Sequence, residues 1–464
     1  MISEFKNLFI LVCAAVRRGA HCSAFLKAAL TLLIAVMLAV PASASLRGDV
    51  NNDGHRNVSD VTALINMILG TLPKDEARAD VNRDGKVNVS DVTELINLIL
   101  GVIVDDDDED LKLVGGDVSM LTKYEQKGSI YYDKNGARIN DVLAYYKQQG
   151  LNALRVRLFV NPAHASSAEV GEGVVQDLDY VKALGKRIKD AGFKFVLDLH
   201  YSDSWADPGK QTLPADWAGL SVDQLEQKVE DYTSEVLQTL VAAGARPDYV
   251  QVGNEVTYGM LWPTGHCWPS GADYDGCTWN NFARYLNAGS RAVREVCPRA
   301  KIIIHIELSR YSNALAFFTQ AQAHSVDYDI MGLSYYPSYH ASTGTIFGVL
   351  TTVLTTLQGS FPDTPVMIME TAYGYAWALP DTKPNCDFTS TYPYSEAGQA
   401  KFAKDLVTTL NARTNVKGLF WWWPEANEYG NSSYQVTTSW WNGSLVDNRN
   451  GRTQQAFYEL LNFK

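Results

Sequence analysis

From Lys112 to the C-terminus the sequence repeats one two-part pattern eight times, and that repetition restricts the fold more than any other feature. Short apolar runs stand at 113–119, 152–160, 193–199, 248–253, 301–307, 328–334, 365–369 and 417–423. Each has the length of a strand, and a nearly continuous apolar run is what a parallel strand buried on both faces requires. Between them, segments such as 177–190, 222–242, 280–296, 396–411 and 453–462 carry apolar residues at helical spacing. Eight βα units in roughly 350 residues predict an α/β fold of the (β/α)8 TIM-barrel class. A doubly wound sheet would also alternate, but no G-x-G-x-x-G follows the first run, so its dinucleotide-binding version is disfavoured. On a barrel, chemistry belongs at the C-terminal ends of the strands.

The first 112 of the 464 residues read differently. Lys6, Arg17, Arg18 and Lys27 precede an apolar stretch from Ala28 to Val40, and Pro41-Ala42-Ser43-Ala44 follows. This is the order of a secretory signal peptide over 1–44, removed after Ala44, and the stretch is shorter than the ~20 residues a membrane span needs. Next comes an internal repeat. Asp49, Asn51, Asp53, Asn57 and Asp60 recur as Asp80, Asn82, Asp84, Asn88 and Asp91, with Gly54 and Gly85 at equivalent places. Side-chain oxygens at positions 1, 3, 5, 9 and 12, glycine at 6 and a backbone carbonyl at 7, here His55 and Lys86, form an EF-hand-like calcium ligand set. Each loop runs into an amphipathic helix, 61–69 and 92–100, ended by Gly70 or Gly101. The paired loop-helix units predict a small all-α calcium-binding domain over 46–104 that holds two Ca2+. Residues 105–112, with six consecutive acids from Asp105 to Asp110, predict a solvated linker before a catalytic domain at 113–464.

The formal net charge is -12, which opposes binding to nucleic acid. Four cysteines would follow signal removal, Cys267, Cys277, Cys297 and Cys386; export makes disulfides an expectation, with three pairings open and Cys267 with Cys277 the most local. Two strand ends carry a carboxylate, Val252-Gly253-Asn254-Glu255 after the fourth run and Met369-Glu370-Thr371 after the seventh. An ionised Glu directly after a buried strand is costly unless paired or used, and two of them about half a barrel apart suggest a facing acid pair that cleaves glycosidic bonds. Arg155 and Arg157 share one face of the second strand, where either could hold a carboxylate ionised. Aromatic residues collect after strands three, six and eight, at Tyr201, Trp205, Tyr335, Tyr336 and Trp421-Trp422-Trp423, in the manner of a sugar-binding cleft.

Several strings carry a resemblance: Leu154-Arg-Val-Arg-Leu-Phe-Val-Asn161-Pro162, Asp198-Leu-His-Tyr-Ser-Asp-Ser-Trp-Ala-Asp-Pro208-Gly-Lys-Gln211, Val252-Gly-Asn-Glu255, Gly332-Leu-Ser-Tyr-Tyr-Pro337 and Glu370-Thr-Ala-Tyr373. With them, residues 113–464 resemble family 53 of the glycoside hydrolases, endo-β-1,4-galactanases. The resemblance implies a retaining mechanism with Glu255 as acid/base and Glu370 as nucleophile. It also implies Asn254 at the sugar 2-hydroxyl, with Arg155, His200, Asp203, Trp205, Trp262, His305, Tyr336 and Trp422 as substrate-binding residues. The substrate it implies is the β-1,4-galactan side chain of pectin, and the enzyme a secreted or cell-surface protein, expected to be a monomer. Residues 46–104 resemble type I dockerins, which implies calcium and a cohesin-type protein partner. A further calcium between the loops after strands seven and eight, near Asp381, Asp387 and Asp447, stays open. So do another β-glycanase of the same clan, such as a mannanase, and a noncatalytic galactan-binding scaffold subunit.

Overall fold

A computed structural model describes residues 46–100 and 111–464, apart from Arg83 and residues 273–277, 309–310, 342–344 and 432–439. The signal peptide expected over 1–44, the acidic run and Cys277 lie outside the described residues. The chain divides into two units, Met1–Asp107 and Asp108–Lys464. No helix among the described residues is long and apolar enough to cross a membrane.

In the first unit, helices α1 (Val58–Ile68) and α2 (Val89–Leu100) close a small core of Val50, Leu64, Ala79, Val81, Leu95 and Leu98. Asn57 and Asp60 form a capping box at the start of α1, which satisfies two otherwise orphaned amides. The repeat leaves matching apolar side chains exposed: Val58 and Val89, Ile65 and Ile96, Leu69 and Leu100.

The second unit is a closed barrel of eight parallel strands in sequential order. They are β1 (Leu113–Asp117), β2 (Ala153–Leu158), β3 (Lys194–Leu199), β4 (Tyr249–Val252), β5 (Lys301–Glu307), β6 (Ile330–Ser334), β7 (Val366–Glu370) and β8 (Val416–Trp422). Six of the apolar runs named from the sequence contain a strand whole, and the runs 365–369 and 417–423 each miss one end residue of theirs, Glu370 and Val416. The helices that follow are α3 (Val142–Gln149), α4 (Leu178–Asp190), α5 (Val222–Ala242), α6 (Trp279–Val296), α7 (Tyr311–Ala323), α8 (Gly348–Ser360), α9 (Glu396–Asn411) and α10 (Gln455–Leu460). Three of these, α3, α7 and α8, are not among the helical segments named from the sequence. In α8 the run Val-Leu-Thr-Thr-Val-Leu-Thr-Thr is rich in β-branched residues that favour a strand locally, but Leu350, Val353, Leu354 and Leu357 stand at helical spacing and are buried, so packing of that stripe decides the outcome.

Strand alternation builds the barrel interior in layers. Leu113, Ala153, Val196, Ile303, Ile330, Met367, Met369 and Phe420, with Tyr249 against them, form an apolar plug drawn from all eight strands. Two residues further along β2, β3, β4, β5 and β8, on the same inward face, stand Arg155, Asp198, Gln251, His305 and Trp422. Thus the plug floors the barrel, and a buried polar layer sits directly above it. Cys297 and Cys386 are buried free thiols, so the expectation of disulfides does not hold for these two.

At β1 the barrel closes on glycine. A Cβ on Gly115 would lie 1.8 Å from the Ala153 carbonyl oxygen, a backbone atom that cannot swing aside. Gly115→Ala is therefore expected to cost about 3 kcal/mol or more, read as a lower midpoint in thermal or denaturant unfolding.

Candidate active site

Arg155, fully buried, organises the polar layer. Its Nη1 donates to Glu370 Oε1 at 2.9 Å and to Asp117 Oδ2 at 3.3 Å. Its Nη2 donates to Asp198 Oδ2 and Asn254 Oδ1, both at 2.8 Å, and its Nε to Gln251 Oε1 at 3.2 Å. One planar guanidinium thereby fixes groups from β1, β3, β4 and β7. Arg157 sits beside it, donating to Asp117 Oδ1 at 3.1 Å and lying 4.5 Å from the Trp205 ring centre. Burial raises Asp198, but Arg155 and His200 together outweigh it and hold the carboxylate below its ordinary range.

Glu370 reaches this layer through a break in register. Leu333 pairs with Ile368 but Ser334 pairs with Glu370, so Met369 is an extra residue. Met367 and Met369 both face the plug, and the irregularity then turns Glu370 inward, as bulges commonly do beside active sites. Its second oxygen, Oε2, accepts from the Tyr336 hydroxyl at 2.9 Å. Burial pushes Glu370 up to about 7, against the pull of Arg155 and the Tyr336 hydroxyl.

Glu255 arrives by a strained route. It has φ of +46°, left-handed for a residue other than glycine, and follows Gly253 at +82°. Such a conformation costs on the order of 1–3 kcal/mol and tends to persist where a side chain must be aimed. Burial first, then the charge of Glu370, holds Glu255 well above its ordinary range. The two carboxyls titrate as a pair, and Glu370, with a cation and a hydroxyl on its oxygens, releases its proton first.

Asn254 is fixed from both ends. Its Nδ2 donates to the Ala206 carbonyl at 2.8 Å, so Oδ1 is the acceptor for Arg155, for Gln251 Nε2 at 3.0 Å and for His305 Nδ1 at 3.1 Å. His305 must carry its hydrogen on Nδ1, and its Nε2, 2.8 Å from Ser334 Oγ, accepts from that hydroxyl. Burial, then the neighbouring Arg155, holds His305 well below its ordinary range, consistent with this neutral form.

A cavity of about 780 Å³ opens over the layer, lined among others by Trp205, Asn254, Glu255, Glu307, Tyr336, Glu370 and Trp422. A smaller one, about 510 Å³, lies at the opposite end among strand N-termini, where Lys301, Asp329 and Asn415 line it and neither Glu255 nor Glu370 reaches. Of the residues named from sequence, Arg155, His200 and His305 stand beneath the larger cavity. His200 accepts the Ala206 amide on Nδ1 at 3.1 Å and meets Asp198 with Nε2 at 3.0 Å. Two are not brought to the cavity. Asp203 binds His164 Nδ1 and the Ala215 amide, each at 2.9 Å, and Trp262 stacks on His266 with ring centres 3.9 Å apart. Conversely, Asp117, Asp198, Gln251, Ser334, Glu307, Tyr339, His340 and Trp440 are given no role from sequence. For Asp198, Gln251 and Ser334 the inward alternation above the plug was the available signal.

In the first unit the two loops match atom for atom. Asp49 accepts the Asp53 and Gly54 amides, as Asp80 accepts those of Asp84 and Gly85, at 2.9–3.1 Å. Asp60 Oδ2 accepts the Asn57 amide at 2.8 Å, and Asp91 Oδ2 that of Asn88 at 2.7 Å. Gly54 and Gly85 have φ of +84° and +80°, the sharp turn that the sixth position requires. The hard-oxygen donors and their spacing fit calcium, although the carboxylates are turned onto loop amides and no three acidic, histidine or cysteine side chains converge among the described residues. Asp381 lines the barrel cavity, Asp387 accepts from Thr389, and Asp447 is bound by Arg449 at 2.8 and 2.9 Å. These three do not gather around a common point.

Comparison with known proteins agrees with this architecture. Glycosyl hydrolase family 53 matches residues 113–460, and the Dockerin type I domain matches residues 47–100. The chain is similar to "Endo-beta-1,4-galactanase" of Bacillus subtilis, 32% identical over 72% of this chain and 81% of the relative. It is also similar to "Arabinogalactan endo-beta-1,4-galactanase A" of Aspergillus niger, 32% identical over 67% of this chain and 84% of that protein. Among solved structures, the Ignisphaera aggregans GH53 catalytic domain aligns with a TM-score of 0.66 and 29% identity, covering 76% of this chain and 95% of its own. With the family match spanning the whole barrel and a paired acid site at its C-terminal face, the chain belongs to glycosyl hydrolase family 53.

Proposed function

We propose that this glycoside hydrolase is an exported endo-β-1,4-galactanase that cleaves the β-1,4-galactan side chains of pectin into oligosaccharides. The observation that carries the reading is the unequal pair of glutamates in one cavity. Glu370 is held by Arg155 and Tyr336 and serves as nucleophile; Glu255, which keeps its proton longer, serves as acid. Glu370 Oε attacks the anomeric carbon, the bond to the leaving sugar oxygen breaks, and the Glu255 proton passes to that oxygen. Water then attacks the same carbon, giving its proton to Glu255 and releasing Glu370, so configuration is retained. Asn254 has one Nδ2 hydrogen committed to Ala206, and the other is free for the sugar 2-hydroxyl. Trp205 and Trp422 supply flat apolar faces for the sugar rings.

The domain division follows the same reading: a signal peptide over 1–44, a dockerin-like domain over 46–104, an acidic linker over 105–112 and the catalytic barrel over 113–464. Dockerin type I domains bind calcium, and we assign one ion to each loop, held by Asp49, Asn51, Asp53, Asn57 and Asp60 with the His55 carbonyl, and by Asp80, Asn82, Asp84, Asn88 and Asp91 with the Lys86 carbonyl. The paired exposed residues Val58/Val89, Ile65/Ile96 and Leu69/Leu100 support docking on a cohesin-type protein. The enzyme then works outside the cell or at its surface.

Glu255→Gln and Glu370→Gln are each expected to lower reducing-sugar release from β-1,4-galactan at least about 100-fold, with β-configured product appearing first by NMR in the parent enzyme. Robust turnover by either variant overturns the assignment, and a panel including mannan checks the substrate class. The pH dependence has a definite sign. Activity needs Glu370 ionised and Glu255 protonated, so kcat/KM should rise through about pH 7 as Glu370 loses its proton and fall at higher pH as Glu255 loses its own. Calorimetric titration of the whole chain with calcium should show two sites, with one lost in Asp49→Ala and the other in Asp80→Ala.

A further inference from the structure

Strand β5 ends in a carboxylate that the double displacement does not use. Glu307 is 6% exposed and lines the same cavity as Glu255 and Glu370. Its backbone N–H donates to Thr257 Oγ1 at 3.0 Å, on the turn Val256–Tyr258 that directly follows the acid. The end of β5 is thus tied to the segment that aims Glu255.

The partner of Glu307 is His340, whose Nε2 stands 3.1 Å from Glu307 Oε2. That ring is neutral. Its Nδ1 accepts the Tyr336 amide N–H at 3.0 Å and so carries a lone pair, which leaves the single ring hydrogen on Nε2, toward Glu307. A neutral donor favours the ionised carboxylate without cancelling its charge.

The charged groups that act most strongly on Glu255 are anionic. Glu370, Glu307 and Asp207 face it from β7, β5 and the loop after β3, with the Ser334 hydroxyl and the phenols of Tyr336 and Tyr339 from β6 and its loop. The cations nearby are engaged elsewhere. Arg155 binds Glu370, Asp198 and Asn254; Lys210 is paired with Glu169; Lys383 donates to the Tyr339 carbonyl at 3.0 Å. After burial and Glu370, Glu307 is the next charge holding Glu255 up, whereas Glu370 is acted on chiefly by Arg155, Asp198 and Asp117.

We propose that Glu307 is a positioning residue for the acid: its charge, left uncancelled by neutral His340, keeps the proton on Glu255 to higher pH. It also makes Glu255 the stronger base when it later takes a proton from water. The inference rests on Glu255 being the acid of the proposed reaction.

The test is the pH profile of kcat/KM on β-1,4-galactan for the full-length enzyme, Glu307→Gln and Glu307→Asp. Removing the charge in Glu307→Gln is expected to move the alkaline limb to lower pH by about one unit, while Glu307→Asp keeps it near the parent position. The readout is the position of the limb, whatever the height of the plateau. An unmoved limb in Glu307→Gln, with the rate lowered equally at every pH, would show a structural or sugar-contact role and overturn the proposal. Carbon-13 titration of Glu255 in glutamate-labelled resting protein gives the same answer without substrate: its midpoint falls in Glu307→Gln, or the proposal fails. Absence of galactan turnover by the parent enzyme would sink the substrate reading alone.

Discussion

A guanidinium with no access to water sits at the centre of the open end of the barrel, and the geometry of the proposed active site depends on how its charge is satisfied. Arg155 binds Asp117, Asp198 and Glu370 while donating to Asn254 and Gln251. A buried cation of this kind is tolerable only with near-complete pairing, and removing one partner from such a network typically costs several kcal/mol. The carboxylates that satisfy it come from β1, β3 and β7, so closure of the barrel and placement of Glu370 are one event. The apolar plug beneath excludes water from the lower face of the layer, which strengthens each of these contacts.

The network also separates two chemically identical side chains. Glu370 takes the cation and the Tyr336 hydroxyl, and Glu255 takes neither. Instead Glu255 meets other carboxylates, Glu370, Glu307 and Asp207, at the end of a strained left-handed turn. Like charges in a cleft push a carboxyl toward its neutral form, and opposite charges pull one toward its ionised form. In the proposed reaction one glutamate is thereby prepared to attack and the other to donate. The asymmetry comes from neighbours rather than from residue type, as is usual where two carboxyls divide acid and nucleophile roles.

Much of the proposed catalytic pair was legible because it lies where strand periodicity and chemistry coincide. Glu255 and Glu370 each follow an apolar run, and Arg155 alternates with inward residues of the second. Asp203 and Trp262 show the limit of that reading: both belong to informative strings, yet Asp203 holds His164 and the Ala215 amide, and Trp262 stacks on His266 in its own loop. Strings place a residue near a strand end but do not say which way a loop turns it. Glu307 and His340 went unnoticed for the complementary reason. They lie on different βα units, and nothing local marks that the amide of Tyr336 fixes the tautomer of one and so leaves the charge on the other. Helix α8 escaped although Leu350, Val353, Leu354 and Leu357 stand at helical spacing, because its Thr and Val residues favour a strand locally.

The sequence by itself determined the eight-fold βα order, the duplicated oxygen-donor loops and the two strand-end glutamates, since these are set by periods of two and 3.6 residues and by fixed local spacing. The tertiary structure decided which polar residues meet. The Met369 irregularity that turns Glu370 inward, the convergence of four strands on Arg155 and the gathering of Glu370, Glu307 and Asp207 around Glu255 depend on strand register and barrel closure. Those are long-range properties, fixed when distant segments pack and their buried charges must be satisfied together.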